Sequence, residues 1–431
     1  MKSLRDRLNA IYTKAEPENL KTDPTPKIRQ DLDRLFHKSD GVKHFAKTTA
    51  EKKYPAISEV VQGSWINTPF GDIFRAEYRY ALAEPYGNLD LRQIHSPDWH
   101  LLKEIFQISD TISPTELLFL DTETTGLSGG TGTIAFLIGV GFLEAHYFTV
   151  HQYFITQLSH EEGMLGLLQK LIPNFNCLVS YNGKAFDIPL LNARFILNRM
   201  PPISPETNHI DLLHPTRTFW KYSLDNCKLT TVENDLLGLF REDDIPGELI
   251  PDAYFDYLRS RRIDKIERIF YHNRFDIITM LANLILVIRA YQSILPEQNP
   301  LTDYAKARLF NRKKDIARSV AHYEHVLNSE ISLSRRQKTA LELAALFKKS
   351  GSWEKAVTLW KNLLDDRYPF SLEPFRELAK YYEHRVGDLI NAKAIVEAAL
   401  CKLPVHYNAE RGELEHRLRR IEQKLARHNQ P

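Results

Sequence analysis

Hydrophobic and polar positions change rhythm three times along this chain, and each change marks a different kind of element. Residues 1–55 are mostly polar, rich in Lys and Asp, and interrupted by Pro17, Pro24 and Pro26, which predicts one helical start and a partly disordered lead. From Gly63 to Ile94 aromatic and β-branched residues alternate with polar ones, as in FGDIFRAEYRYAL, between Pro-Phe-Gly and Pro-Tyr-Gly turns. That alternation predicts a hairpin, so residues 56–112 are expected to pack as hairpin and helix on the domain that follows. Over residues 113–295, LLFLDTE, TIAFLIGVGF and HYFTVHQYFI read as three consecutive strands, EEGMLGLLQKLI as a helix and NCLVSYN as a fourth strand. A helix from Asp187, a short strand at HIDLL and a helical stretch ending in HNRFDIITMLANLILVIRAY complete the region. This order predicts an α/β domain with a mixed β-sheet flanked by helices.

Residues 301–425 carry no strand signal, and a repeat emerges there. Ala307, Phe310, Ser319 and Tyr323 recur as Ala344, Phe347, Ala356 and Trp360, and again as Ala379, Tyr382, Ala392 and Val396, with Ala399 and Pro404 closing the third unit. Small residues where paired helices touch, aromatic residues between them and a terminal proline resemble tetratricopeptide (TPR) repeats, which have a period of about 34 residues. The resemblance implies an all-α repeat domain and a surface for a protein partner.

Composition narrows the picture only a little. Of the 431 residues 43% are hydrophobic and 26% charged, which excludes collagen-like, coiled-coil and wholly disordered chains. The net charge of +2 is unevenly spread: residues 1–300 hold 32 Lys and Arg against 38 Asp and Glu, and residues 301–431 hold 25 against 17. An acidic front with a basic back suits a metal-dependent site beside a surface that meets polyanions. Cys177, Cys227 and Cys401 lie far apart with no CxxC pair, so neither a disulfide framework nor a thiolate zinc site is expected. The first twenty residues hold no apolar signal core. The longest apolar stretches, Ile134–Leu143 and Met280–Ile288, fall short of the roughly 20 residues that span a bilayer, so a cytoplasmic protein without membrane contact is expected.

The chemistry concentrates in three short segments. In LLFLDTETTGL, four apolar residues lead into Asp121 and Glu123. Residues two apart on a strand share a face, so these carboxylates project together, and like charges so close call for a divalent cation. In SYNGKAFDIPLL another apolar strand runs into Asn182, Gly183 and Asp187. Taken singly, Asp187 reads better as a helix N-cap, the role for which Asp is strongly preferred. In FYHNRFDIITMLANL, His272 and Asp276 are four apart and therefore about 40° apart around a helix, whereas Tyr271 and Asp276 are about 140° apart.

The order DxE, N-x-x-x-F-D, H-x-x-x-D resembles the three motifs of the DEDD superfamily, the RNase H-like 3′–5′ exonucleases that include polymerase proofreading domains. DTETTGLSGGTGTIAFLIGVG, VSYNGKAFDIPLLNARF, HIDLLHPTR, DDIPGELIPDAYFDYLR and HNRFDIITM are similar, more closely, to the bacterial YprB family of RNase H-like proteins, in which a TPR-like tail can follow. The resemblance covers roughly residues 115–292 of a domain expected over 113–295. It implies Asp121, Glu123, Asp187 and Asp276 as ligands of two Mg²⁺ or Mn²⁺ ions, and His272 as the residue that positions or deprotonates water. It further implies contacts of Thr125, Gly126, Leu127 and Asn182 with the terminal nucleotide. The spacing H-x-x-x-D departs from the pattern, since that spacing normally carries tyrosine.

The expected function is hydrolysis of single-stranded DNA or RNA from the 3′ end, with nucleic acid as substrate. The alternative expectation is an adaptor that holds nucleic acid without cutting and recruits a protein through its repeats. Ser128–Gly132 is expected to form a tight turn, Asp211 to cap a strand end, and Arg217, Lys221 and Lys228 to be solvated.

Overall fold

The alternating residues from Gly63 to Ile155 find their partners in one seven-stranded sheet. The computed structural model describes residues 56–95, 100–106, 108, 112–126, 132–293, 299–404 and 406–428, and residues 54–431 form one unit. The lead expected over residues 1–55 lies outside the described residues. Helix α1 (Ile57–Val60) enters the hairpin β1 (Gly63–Thr68) and β2 (Gly71–Ala81). Its turn closes on a hydrogen bond from the Thr68 hydroxyl to the Gly71 carbonyl (2.6 Å), with Gly71 at φ 114°, a backbone state that favours glycine. A two-stranded ribbon, Pro85–Tyr86 against Leu89–Asp90, and α2 (His100–Phe106) follow. Then come β3 (Leu117–Thr124), β4 (Ala135–Glu144), β5 (Tyr147–Ile155), α3 (Glu161–Leu171), β6 (Cys177–Ser180), α4 (Asp187–Leu197) and β7 (Asn208–Asp211). The strand order is β1-β2-β5-β4-β3-β6-β7; β3–β6 and β6–β7 pair in parallel and the rest antiparallel. The hairpin thus extends the sheet itself through β2 and β5.

Helices α5 (Leu213–Trp220), α6 (Leu229–Val232, running into a π-helical turn Glu233–Leu237), α7 (Ile250–Ser260) and α8 (Asp264–Gln292) complete the α/β part. α8 crosses the sheet over one row of strand neighbours, Asp121, Gly139, Gln152 and Ala76. Its 29 residues make it, among the described helices, the one long and apolar enough to span a bilayer, although 72% of that apolar window is buried in the fold. Interrupted apolar runs, joined on one helix, reach a length that no single run has. Burial against the sheet explains the apolarity.

The C-terminal region is helical: α9 (Pro300–Arg312), α10 (Ile316–Asn328), α11 (Leu333–Lys349), α12 (Trp353–Asn362), α13 (Leu372–Lys380), α14 (Leu389–Lys402) and α15 (Asn408–His428). Consecutive helices pack on one another, and the recurring Ala307, Phe310, Ala344, Phe347, Ala356, Trp360, Ala379, Ala392 and Val396 are buried. The repeat also recurs in the backbone. Lys314, Gly351 and Gly387 all have positive φ (63°, 82° and 76°), just before the N-cap residues Asp315, Ser352 and Asp388. Only Lys314 carries a Cβ there. Lys314→Gly is therefore expected to stabilise the chain by up to about 1 kcal/mol, read as a higher urea midpoint with an unchanged slope. Part of the positive charge of this region is gathered on one acid: Arg417, Arg420 and Lys424 converge on the buried Glu383 carboxylate. They overcome its burial and hold it down at about 2.

Candidate active site

β3 leaves the core within its own length, because Leu117–Leu120 are fully buried whereas Asp121–Thr124 are half-buried. A register shift against β4 between Glu123 and Thr124 ends regular pairing at that point. Asp121 and Glu123 share the face covered by α8. There the Asn273 amide donates to Asp121 Oδ2 (2.8 Å), while its own Oδ1 accepts from Gln152 Nε2 (2.7 Å). This bridge needs Gly139, since a Cβ at that position would lie 2.1 Å from Asn273 Oδ1.

Asp187 arrives from the end of β6. It is the first residue of α4, and the N-cap position falls on Phe186, so the N-cap alternative fails by one residue. Its Oδ1 instead accepts from the Thr122 hydroxyl (2.5 Å). The turn before it is held by Asp211, whose carboxylate accepts from the backbone N–H groups of Asn182 (2.8 Å), Lys184 (3.1 Å) and Leu213 (3.1 Å). Asn182 takes a positive φ of 67°, and a Cβ on Gly183 would lie 3.1 Å from Asp187 Oδ2. Asp211 therefore builds the turn that presents Asp187.

α8 supplies Asp276 and His272. Asp276 accepts a hydrogen bond from Arg241, whose buried guanidinium also grips Glu233 through two bonds (2.6 and 2.7 Å) and reaches Asp244 (3.2 Å). His272 Nδ1 faces Asp244 (2.9 Å), leaving Nε2 turned toward Asp276 Oδ2 at 3.7 Å. Sequence reasoning missed Arg241, Asp244 and Asn273. The adjacent Asn in HN-x-x-D and the acids of REDD were the available signals. Without Arg241, Glu233 would be a buried charge with no cation and only the Thr279 hydroxyl beside it, so Arg241→Met is expected to cost about 3–5 kcal/mol in urea unfolding, partly recovered by adding Glu233→Gln.

Neighbouring carboxylates add to the effect of burial at Asp121 and Glu123. Loss of water and the charges of Asp276 and Asp187 hold Asp121 well above the usual carboxylate range, against the Asn273 hydrogen bond. Glu123 is raised likewise by loss of water and by Asp121, Asp276 and Asp187, and it has no hydrogen-bonding partner among the described residues. Burial pushes Asp187 up to about 6, against its hydrogen bond from Thr122. For His272 burial disfavours the imidazolium, but Asp244 and Asp276 outweigh it and raise the group. An oxygen-only donor set of mutually repelling carboxylates is the chemistry that hard divalent cations match. Among the described residues, however, no three His, Cys, Asp or Glu already surround a point as one metal's ligands would. Asp121, Asp187 and Asp276 instead spend one oxygen each on Asn273, Thr122 and Arg241.

Residues expected to contact a nucleotide have local duties in the fold. The Thr125 hydroxyl accepts from the Ile134 N–H (3.0 Å), and the Thr124 hydroxyl donates to the Gly126 carbonyl (2.8 Å). Leu127, and Ser128–Thr131 of the expected turn, lie outside the described residues.

Residues 118–286 match the RNase_H superfamily. Among solved structures, the family B DNA polymerase from the hyperthermophilic archaeon Pyrobaculum calidifontis aligns over 73% of this chain at 10% identity, with a TM-score of 0.32; the chain spans 46% of that polymerase's length. Among curated proteins, the uncharacterized protein YprB of Bacillus subtilis (strain 168) is 33% identical over 323 residues, which is 72% of this chain and 75% of that protein. With that identity over that span, and with the mixed sheet carrying its acids at one end, the chain belongs to the YprB family and bears an RNase_H superfamily domain.

Proposed function

We propose that this protein is a DEDD-type nuclease that hydrolyses phosphodiesters in single-stranded DNA or RNA from the 3′ end. What supports the reading is that three separate segments approach one another at these acids: Asp187 accepts from Thr122, between Asp121 and Glu123, Asn273 of α8 donates to Asp121, and His272 lies 3.7 Å from Asp276. Asp121, Glu123, Asp187 and Asp276 would hold two Mg²⁺ or Mn²⁺ ions. When bound, such ions stabilise charge on the phosphoryl oxygens and make water acidic enough to ionise near neutral pH. Asp244 holds the Nδ1 proton of His272, so Nε2 is the nitrogen free to take a proton from the attacking water. Asn273 keeps one Asp121 oxygen oriented while the other stays available. Thr125, Gly126, Leu127 and Asn182 would border the terminal nucleotide, and the helical C-terminal region would serve a protein partner as a TPR-like surface.

A second reading, a nucleic-acid-binding adaptor without cleavage, draws on Arg241. A cation already paired with Asp276 competes with a metal there. The test is incubation of 5′-labelled single strands of DNA and RNA with Mg²⁺ or Mn²⁺. Stepwise shortening supports the exonuclease, cutting of circular single strands turns the reading to an endonuclease, and binding with no shortening supports the adaptor.

A further inference from the structure

We propose that the open flank of β2, where α8 crosses it, is a binding track for single-stranded nucleic acid leading away from the acid cluster. The inference rests on the nucleic-acid part of the reading above and is independent of cleavage. β1 pairs with β2 only as far as Gly63 opposite Ala76, so from Glu77 to Ala81 the outer edge of β2 has no strand beside it among the described residues. The resulting groove encloses ≈ 690 Å³ and is lined by Arg75, Arg79 and Arg274 together with Tyr78, Tyr80 and Phe275.

Arg75 and Arg79 on one face of the open edge, and Arg274 beside Tyr78, Tyr80 and Phe275 on the α8 face, together match a strand of phosphates and bases better than they match a polypeptide. Phosphates take the charges, and bases of any sequence stack on the rings. The cations are also available. Arg274 lies over Tyr78 (4.3 Å) and Phe275 (5.4 Å) and has no carboxylate partner among the described residues. The Nε atoms of Arg274 and Arg75 are shielded from solvent and make no hydrogen bond, so only the rest of these half-buried guanidinium groups can meet a phosphate. Arg79 pairs with Glu144 at 3.2 Å where both side chains are about half exposed (54% and 46%), an ion pair that a phosphate can displace at small cost. Glu77 is the acid within the groove, shared between Arg75 (3.3 Å) and His151 (3.4 Å).

The groove also connects to the candidate site. Tyr271 and Phe275 pack at 4.4 Å, Arg274 lies against both, and Arg241, the partner of Asp276, sits over Phe275 at 5.8 Å. Stacked side chains thus run without a break from the flank of β2 to the acids.

Fluorescence anisotropy with labelled single strands of 5 and 20 nucleotides, in EDTA and over a salt series, tests the track. The full-length protein should bind the longer strand more tightly, and Arg79→Glu, an exposed change that leaves the core intact, should weaken that binding about tenfold. Replacing Arg75, Arg79 and Arg274 together by Ala should lower the salt slope by about 2, whereas Lys at all three should keep it. Equal affinity of Arg79→Glu and wild type for the longer strand overturns the proposal and leaves the free edge to a pairing β-strand. So does an affinity independent of length. Shortening in Mg²⁺ is scored separately. Its absence beside an intact Arg79→Glu effect removes cleavage and keeps the track, and shortening beside unchanged binding does the reverse.

Discussion

Asp121→Asn is expected to reduce metal-dependent shortening of labelled strands by at least about 10²–10³-fold and, in the same molecule, to stabilise the metal-free protein at pH 8. Both effects have one origin. Asp121 sits where water is scarce and Asp276 and Asp187 are near, so its negative charge is unfavourable in the fold unless a cation is present. The neutral amide removes the repulsion and the ligand together. The sign of the pH dependence follows. Asp121, Glu123 and Asp187 all have folded-state values raised above those of the unfolded chain, Asp187 to about 6. The folded protein therefore keeps protons that the unfolded chain releases, and stability falls as pH rises from near 4 through about 6. Asp187 alone accounts for a loss on the order of 3 kcal/mol. Urea midpoints in EDTA should drop between pH 5 and pH 8 for wild type and drop less for Asp121→Asn. Adding Mg²⁺ at pH 8 should restore the wild type and do little for the variant. A midpoint insensitive to pH and to Mg²⁺ would remove the carboxylate cluster as a cation site.

His272→Ala should lower kcat by about 10²–10⁴-fold while leaving Mg²⁺ stabilisation in place, because the residue is assigned to water and not to metal. Asp244→Asn should cost about 10–100-fold, since an amide can present its oxygen to Nδ1 but does not stabilise the imidazolium. The pH profile separates the roles. Asp244 raises His272, so its loss should move the acid limb of kcat/KM to lower pH even as the maximum falls. If Asp244→Asn lowers activity with the limb unmoved, Asp244 acts on folding alone and His272 is not the base.

Much of the site was legible in the order of residues because the relevant periods are local. A two-residue step placed Asp121 and Glu123 on one face, and a four-residue step placed His272 and Asp276 on one side of α8, where their side chains lie 3.7 Å apart. The partners of those groups were not legible. Asn273 reaches Asp121 across 152 positions, and only because Gly139 leaves room. Arg241 meets Asp276 while gripped by Glu233, which stands on a π-helical turn that no hydrophobic period announces. Asp211 reads as a strand-end acid and turns out to build the turn holding Asp187.

The same division holds for the whole protein. The sequence by itself determined the kinds of element, their order and the types of chemical group at their ends, because backbone periodicity and strand-end polarity are written within a few residues. Tertiary structure alone decided that the hairpin joins the sheet, that α8 is apolar because it is buried, and which oxygen of each acid is already engaged. Those outcomes depend on distances between residues remote in the chain, and such distances are set by how helices and strands pack once side-chain volume and charge are satisfied together.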